Sequence, residues 1–381
     1  LASGIVTMAA GNGIGFAAND QISPDDYFRE RYASFLVESA EPLPAGWGAL
    51  AIGKTSSSAT VQIAGECLPL NDLLSSWRDP LEEIYRTQAT SPHPELESFR
   101  YSSGPNIGVP KSRRATPKAV IPTFPGTNSE YDTARALHDA GAEAEILVFR
   151  NLAPPAVEDS LKALAAAIRQ SQIMVIPGGF SSGDEPDGSG KFIATVLRNP
   201  IVRDAVVELL TERDGLILGI CNGFQALIKT GLVPYGEIRD PEPDSPTLTF
   251  NDIGRHVSCY VTTRIASNLS PWLSQCAVDD LHRIPVSHGE GKFYASSAEI
   301  QQLAASGQIA TQYADPAGNP SMAIADNPNG SLYAIEGITS PDGRVLGKMA
   351  HTERRGTNVA RNIPGEKYQP LFAGGVNYFT G

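Results

Sequence analysis

From Lys118 onward, short apolar runs alternate with stretches whose apolar positions recur every three or four residues. AVIPTF (119–124) is a strand-length run. Tyr131, Ala134, Leu137 and Ala140 fall on one helical face, with Thr127 and Glu130, or Ser129 and Asp132, spaced to cap its start. EAEILVF, QIMVIPGG and GLILGI repeat the strand pattern, while VEDSLKALAAAIRQ and IVRDAVVELLTER repeat the helical one. Strands alternating with helices of this length predict an α/β architecture, a doubly wound, mostly parallel sheet covered on both faces. Past Asp240 the pattern turns to strands, with VSCYVTTRI, HRIPVS, SLYAIEGI and RVLGKMAH as candidates.

Residues 1–89 read as a small α+β unit. A Gly-rich stretch, GNGIGF, is expected to be a turn, and Ser23 to Ser39 has a helical pattern. GALAIGKT and ATVQIAG, separated by serines, suggest a hairpin. LPLNDLLSSWRDPLEEIYRTQ suggests a helix interrupted at Pro80. Residues 90–117 are rich in Pro, Ser and Gly without apolar period and are the expected linker to a unit spanning 118–381.

Composition narrows the function classes. With 41% hydrophobic residues the chain has ample material for a core, and with 42 acidic against 30 basic side chains it carries a net charge of −12. That balance argues against a nucleic-acid partner, whose phosphates need clustered cations. The basic run Lys111–Arg114 is short and reads as solvated linker. No apolar run approaches the roughly 18 residues of a membrane span. The four cysteines lack CxxC spacing, so neither a metal site nor a disulfide scaffold is expected and a cytoplasmic location fits.

Gly48 to Thr55 matches the spelling of a phosphate-binding loop, GxxxxGK[ST], but its middle residues read as a strand and another strand follows where the mechanism needs a helix. A second motif fits its chemistry better. In GLILGICNGFQALIK, Cys221 stands between an apolar strand and a helix, with Gly219 and Gly223 two residues to either side. A sharp strand-to-helix elbow needs glycine there, and it presents the thiol at a helix N-terminus that favours thiolate. A thiol nucleophile needs a base and an orienting carboxylate. His351 ends an apolar run, and Glu353 follows at i+2, on the same side in extended backbone. The loop Ile176–Asp184 and the residue after the nucleophile, Asn222, offer backbone N–H groups to an oxyanion. His288-Gly-Glu290-Gly is another polar, Gly-flanked loop, and His138 and His93 read as structural or solvated.

PGG at 177–179, GICNGFQ at 219–225 and His351-x-Glu353 resemble the class I glutamine amidotransferases, which have a flavodoxin-like fold. FPGTNSEYDTARAL, GGFSSGDE, SHGEGKF and VLGKMAHTER look like the glutaminase domains of the phosphoribosylformylglycinamidine synthases, a family of purine biosynthesis. The last motif of that family usually carries Pro before the His and before the Glu; here Ala350 and Thr352 stand instead. Residues 1–89 look like the C-terminal part of a synthetase domain from the single-chain forms. The resemblance implies Cys221, His351 and Glu353 as catalytic residues, the N–H groups of Gly179 and Asn222 as oxyanion donors, and Phe180, Ser181 and Gln225 as glutamine contacts. It implies glutamine and the remaining synthetase domains as partners, with no metal or cofactor here and ATP and Mg bound in the complete synthetase. Two alternatives remain open at this point: another thiol hydrolase on the same scaffold, such as a γ-glutamyl peptidase, and a non-catalytic docking module.

Overall fold

The computed structural model describes all residues except 20–21, 88, 90–95, 103–107 and 182–189. His93, much of the expected linker and the Ser182–Asp184 end of the GGFSSGDE motif therefore lie outside the described residues. The chain divides into two units, Leu1–Gln88 and Ala89–Gly381.

The first unit contains helices α1 (Ala2–Asn12), α2 (Pro24–Phe28) and α3 (Leu70–Glu82) and strands β1 (Gly15–Ala18), β2 (Gly53–Ser56), β3 (Thr60–Ile63) and β4 (Glu66–Pro69). GNGIGF is not a plain turn. It closes α1, with Gly13 in the left-handed conformation as cap, and opens β1 at Gly15, where a Cβ would lie 1.9 Å from the Ser58 carbonyl oxygen. The helix expected from Ser23 to Ser39 stops at Phe28. Pro24 and the two aspartates start it well, but beyond it Tyr32 and Phe35 are exposed, so no burial rewards further turns. The expected hairpin is also re-paired. The sheet order is β2-β1-β3-β4, so β1 separates the two runs. The tight hairpin is β3–β4, turning through Ala64 and Gly65, both at positive φ. Lys54 and Thr55 of the GxxxxGKT match lie in β2, with β3 as the next element. Pro80 is accommodated inside α3, near its end.

The second unit runs β5 (Lys118–Thr123), α4 (Glu130–Asp139), β6 (Glu143–Val148), α5 (Pro154–Gln170), β7 (Ile173–Ile176), α6 (Lys191–Arg198), α7 (Pro200–Thr211), β8 (Leu216–Ile220), α8 (Asn222–Thr230) and the short α9 (Leu232–Tyr235). It continues with β9 (Thr247–Phe250), β10 (Val257–Ile265), β11 (Leu281–His288), β12 (Glu290–Tyr294), α10 (Ser297–Ala305), β13 (Ile309–Ala314), β14 (Ile335–Thr339), β15 (Val345–Lys348) and α11 (Leu371–Thr380). One nine-stranded sheet, in the order β11-β10-β13-β14-β15-β8-β7-β5-β6, organises it. From β6 to β15 neighbours are parallel; from β15 to β11 they are antiparallel. Every residue of β7 and β8 is buried, as a strand covered on both faces requires. The expected α/β fold is present, with the late strands extending the parallel half as an antiparallel one.

No capping bond forms from Ser129 to α4; its hydroxyl instead pairs with Asn128 and Arg354. Part of the presumed linker is anchored. Phe99 is buried and its amide donates to Gln312 Oε1 at 3.1 Å, while Tyr101 N–H donates to the Ala266 carbonyl at 2.8 Å. Lys111 is not simply solvated, since its ammonium reaches the Thr211 carbonyl at 2.9 Å and Asp214 at 3.4 Å.

Candidate active site

The central strand β8 runs into α8 with one residue between them, Cys221, whose φ of 52° and ψ of −105° are unfavourable for a side-chain-bearing residue. The surroundings enforce that conformation. A Cβ on Gly219 would lie 2.7 Å from the Gly223 carbonyl, and one on Gly223 would lie 2.0 Å from the Ile176 carbonyl oxygen. The Cys221 amide is tied to the Lys348 carbonyl of β15 at 2.8 Å, and its thiol points at the Ser287 carbonyl at 3.7 Å.

His351 lies just past β15, and its amide donates to the Pro285 carbonyl at 2.8 Å. Thr352 and Glu353 form a turn rather than extended backbone, so the pair meets by reversal of the chain and not by strand alternation. The result is close contact: His351 Nδ1 and Glu353 Oε1 are 2.6 Å apart, and both side chains are buried. Burial alone would strip the imidazole of its proton. The Glu353 carboxylate and the Cys221 sulfur outweigh it and hold His351 up at about 9. Burial pushes Glu353 the other way, but the facing imidazole keeps its carboxyl below the usual range. Gly178 of the PGG loop touches both groups: a Cβ there would sit 2.5 Å from His351 Cε1 and 3.5 Å from Cys221 Cβ. Gly179, its neighbour, pairs with Thr127 across an isolated bridge and has a φ of 148°. A thiol from the β8–α8 elbow and an imidazole–carboxylate pair from the turn after β15 converge beside a glycine loop.

A family model described as a CobB/CobQ-like glutamine amidotransferase domain matches residues 116–379. This chain belongs to the glutamine amidotransferases. The phosphoribosylformylglycinamidine synthase subunit PurQ of Treponema denticola is 36% identical over 280 residues, covering 69% of this chain and 98% of that protein. The subunit of the same name from Dehalococcoides mccartyi is 35% identical over 237 residues, 62% of this chain and 85% of its own. Among solved structures, PurLQS from Thermotoga maritima has 25% identity and a TM-score of 0.48, over 69% of this chain and 99% of that one.

In this amidotransferase the SHGEGKF segment, expected as a loop, is the end of β11 and the start of β12 joined at Gly289, and it borders Cys221. Ser287 faces the thiol, and the Glu290 carbonyl accepts from Gln225 Nε2 at 2.6 Å. Gln225 Oε1 in turn accepts from Asn222 Nδ2 at 2.9 Å, and Asn222 Oδ1 accepts the Ser181 amide at 3.3 Å. The Gln225 side chain is thus engaged at both ends in scaffolding. Phe180 is half-buried and tilted against His256, at 6.0 Å between rings. His138, by contrast, accepts the Ala144 amide near the end of α4, a structural role.

Among the described residues, the buried polar atoms without a hydrogen-bond partner include His351 Nε2, Glu353 Oε2, Ser181 Oγ and His288 Nε2. Buried polar atoms are rarely left so except where something else is meant to meet them. His288 is held neutral, at about 3, by burial and by His351 and His256. The other buried cysteine, Cys276, is pushed up to about 12 by burial and Asp280 and is inert as a nucleophile. Gly178, Ser287 and His288 had only one sequence signal, glycine flanking a polar residue in a loop.

Proposed function

We propose that this amidotransferase is the glutaminase component of a phosphoribosylformylglycinamidine synthase and that Cys221, His351 and Glu353 are its catalytic residues. The observation that carries the reading is the strained Cys221 elbow set beside the His351–Glu353 pair. An imidazole kept protonated favours a thiolate next to it. The thiolate attacks the side-chain amide carbon of glutamine, and the negative oxygen forms within reach of the Gly179 and Asn222 N–H groups, donors of a kind worth about 2.7–4 kcal/mol each in such sites. His351 gives its proton to the leaving nitrogen, the C–N bond breaks, and ammonia departs from a glutamyl thioester. The now neutral imidazole takes a proton from water, whose oxygen attacks the thioester carbon. Glutamate leaves and the thiolate is regenerated, with Glu353 steadying the imidazolium throughout. Phe180 and Ser181 line the glutamine side of this path, and Gln225 holds Asn222 in place.

In this reading ammonia passes to a synthetase that binds ATP and Mg, none of whose ligands are assigned to residues here. Residues 1–89 are read as the C-terminal part of such a synthetase domain, and the location as cytoplasmic. The test is labelling with 6-diazo-5-oxo-L-norleucine, mapped by mass. A single adduct on Cys221, blocked by glutamine and lost in Cys221→Ala, supports the assignment; an adduct elsewhere, or one indifferent to glutamine, defeats it.

A further inference from the structure

The buried Lys348 is a charge that the proposed chemistry does not use. It is the last residue of β15, is 1% exposed, and lies among groups it must satisfy completely. Its ammonium donates to the Ala350 carbonyl at 2.9 Å and to Thr352 Oγ1 at 2.8 Å, the residues on either side of His351. Its counter-charge is Glu336 of β14, 1% exposed and 3.6 Å away. Glu336 Oε1 also accepts the Ala350 amide at 2.6 Å, and its other oxygen is bonded by the Thr311 hydroxyl. Thr352 passes the chain on, donating to Gln369 Oε1 at 2.8 Å. On the backbone, the Lys348 carbonyl receives the Cys221 amide.

One residue thus joins the nucleophile elbow to the turn that carries the base. The turn needs such a joint. The ladder of β15 ends at Lys348, and the residues that follow have no regular partner strand to fix them. A buried lysine is costly to keep in a fold, and replacing such ion pairs by apolar side chains often stabilises a protein. Its two bonds, aimed at both neighbours of His351, are what an apolar side chain could not supply.

We infer that Lys348, with Glu336 and Thr352, is a positioning clamp that sets His351 against Cys221 in the glutaminase reaction. The inference rests on the reading of His351 as the base. Misplacing a catalytic group by about 1 Å costs up to about 100-fold in rate, and that is the scale expected here.

The test uses the whole chain and four variants: Thr352→Val, which keeps the shape but loses both hydroxyl bonds; Thr352→Ser, which keeps the hydroxyl; Lys348→Met/Glu336→Gln, which neutralises the pair together; and His351→Asn. The rate of Cys221 alkylation by 6-diazo-5-oxo-L-norleucine and kcat and KM for glutamate release are measured beside the melting temperature. Thr352→Val and the double variant are expected to lose about 10- to 100-fold in alkylation rate and kcat with KM within about twofold. Thr352→Ser restores wild-type rates. If the double variant does not fold, the Thr352 pair decides alone. Wild-type rates in Thr352→Val while His351→Asn is inactive would overturn the clamp and leave the base standing. A fall in melting temperature without a fall in kcat also overturns it. Wild-type alkylation in His351→Asn would bring down the base and, with it, the clamp.

Discussion

Residues 1–88 and residues 89–381 place their apolar side chains in opposite ways. The first unit buries a small cluster, Ile5, Ala9, Ile22, Tyr27, Val61 and Leu70, and leaves Phe28, Phe35, Trp47, Trp77 and Ile84 exposed. The second buries whole strands and helix faces in one large cluster and a smaller second one, with few large apolar groups outside them for its size. A deep core can hold a cysteine at an unfavourable φ and a buried imidazole–carboxylate pair, because displacing either would disturb close packing on all sides. A thin core can hold neither. The buried thiol, imidazole and carboxylate accordingly lie in the second unit, while the first keeps large apolar side chains at its surface.

The sharpest way to break this contrast is to add one methyl group to each unit. Gly223→Ala puts a Cβ against the Ile176 carbonyl, backbone on backbone, and is expected to cost at least about 3 kcal/mol in the second unit and to abolish labelling of Cys221. Gly65→Ala, in open space but at a φ of 84°, is expected to cost about 1–2 kcal/mol from backbone conformation alone. Thermal and denaturant melts of both variants check it; equal losses would mean the second unit is no more tightly built than the first.

A smaller effect separates buried from solvated charge. His351 is raised, so its contribution to stability is complete below its ordinary 6.5 and is lost as pH rises through about 9. Glu353 is lowered, so its contribution is present above its ordinary 4.5 and is lost as pH falls through the depressed value. Glu353→Gln should therefore cost about 2–3 kcal/mol near neutral pH, progressively less as pH rises toward about 9 and little beyond it, read from melts across pH. A pH-independent difference would mean that the imidazole is not charged in the fold. The smallest effect belongs to the first unit's surface: Trp77→Ser with Phe35→Ser should change stability by less than about 0.5 kcal/mol while reducing self-association in sedimentation. A large loss of stability would show that those side chains are packed after all.

The legible parts of the sequence were those in which one periodicity governs a long segment. Val120, Ile121 and Ile173–Ile176 are fully buried strand residues, and Leu216–Ile220 leads into the elbow where its glycines place it. The re-paired strands of the first unit were not legible, because strand partners depend on which distant segment arrives, and β1 hides inside a Gly-rich stretch that looks like a turn. His351 and Glu353 could be chosen as a pair, but the turn that joins them is set by Lys348, Thr352 and Pro285, none of which carries a local signal. Ser287, at the end of β11, has the same character: only its approach to Cys221 gives it meaning.

Cys221 and the Ser287 carbonyl that receives its thiol are 66 residues apart, and His351 comes later still, just past the strand that lies directly against β8. A chain leaving the ribosome thus carries Cys221 long before it carries His351 and Glu353. Because β15 enters the sheet beside β8, the sheet cannot close at its centre until one of the last strands has been made. The surroundings of Cys221 would assemble late and all at once, and a chain stopped before Val345 would hold the thiol without the imidazole that faces it.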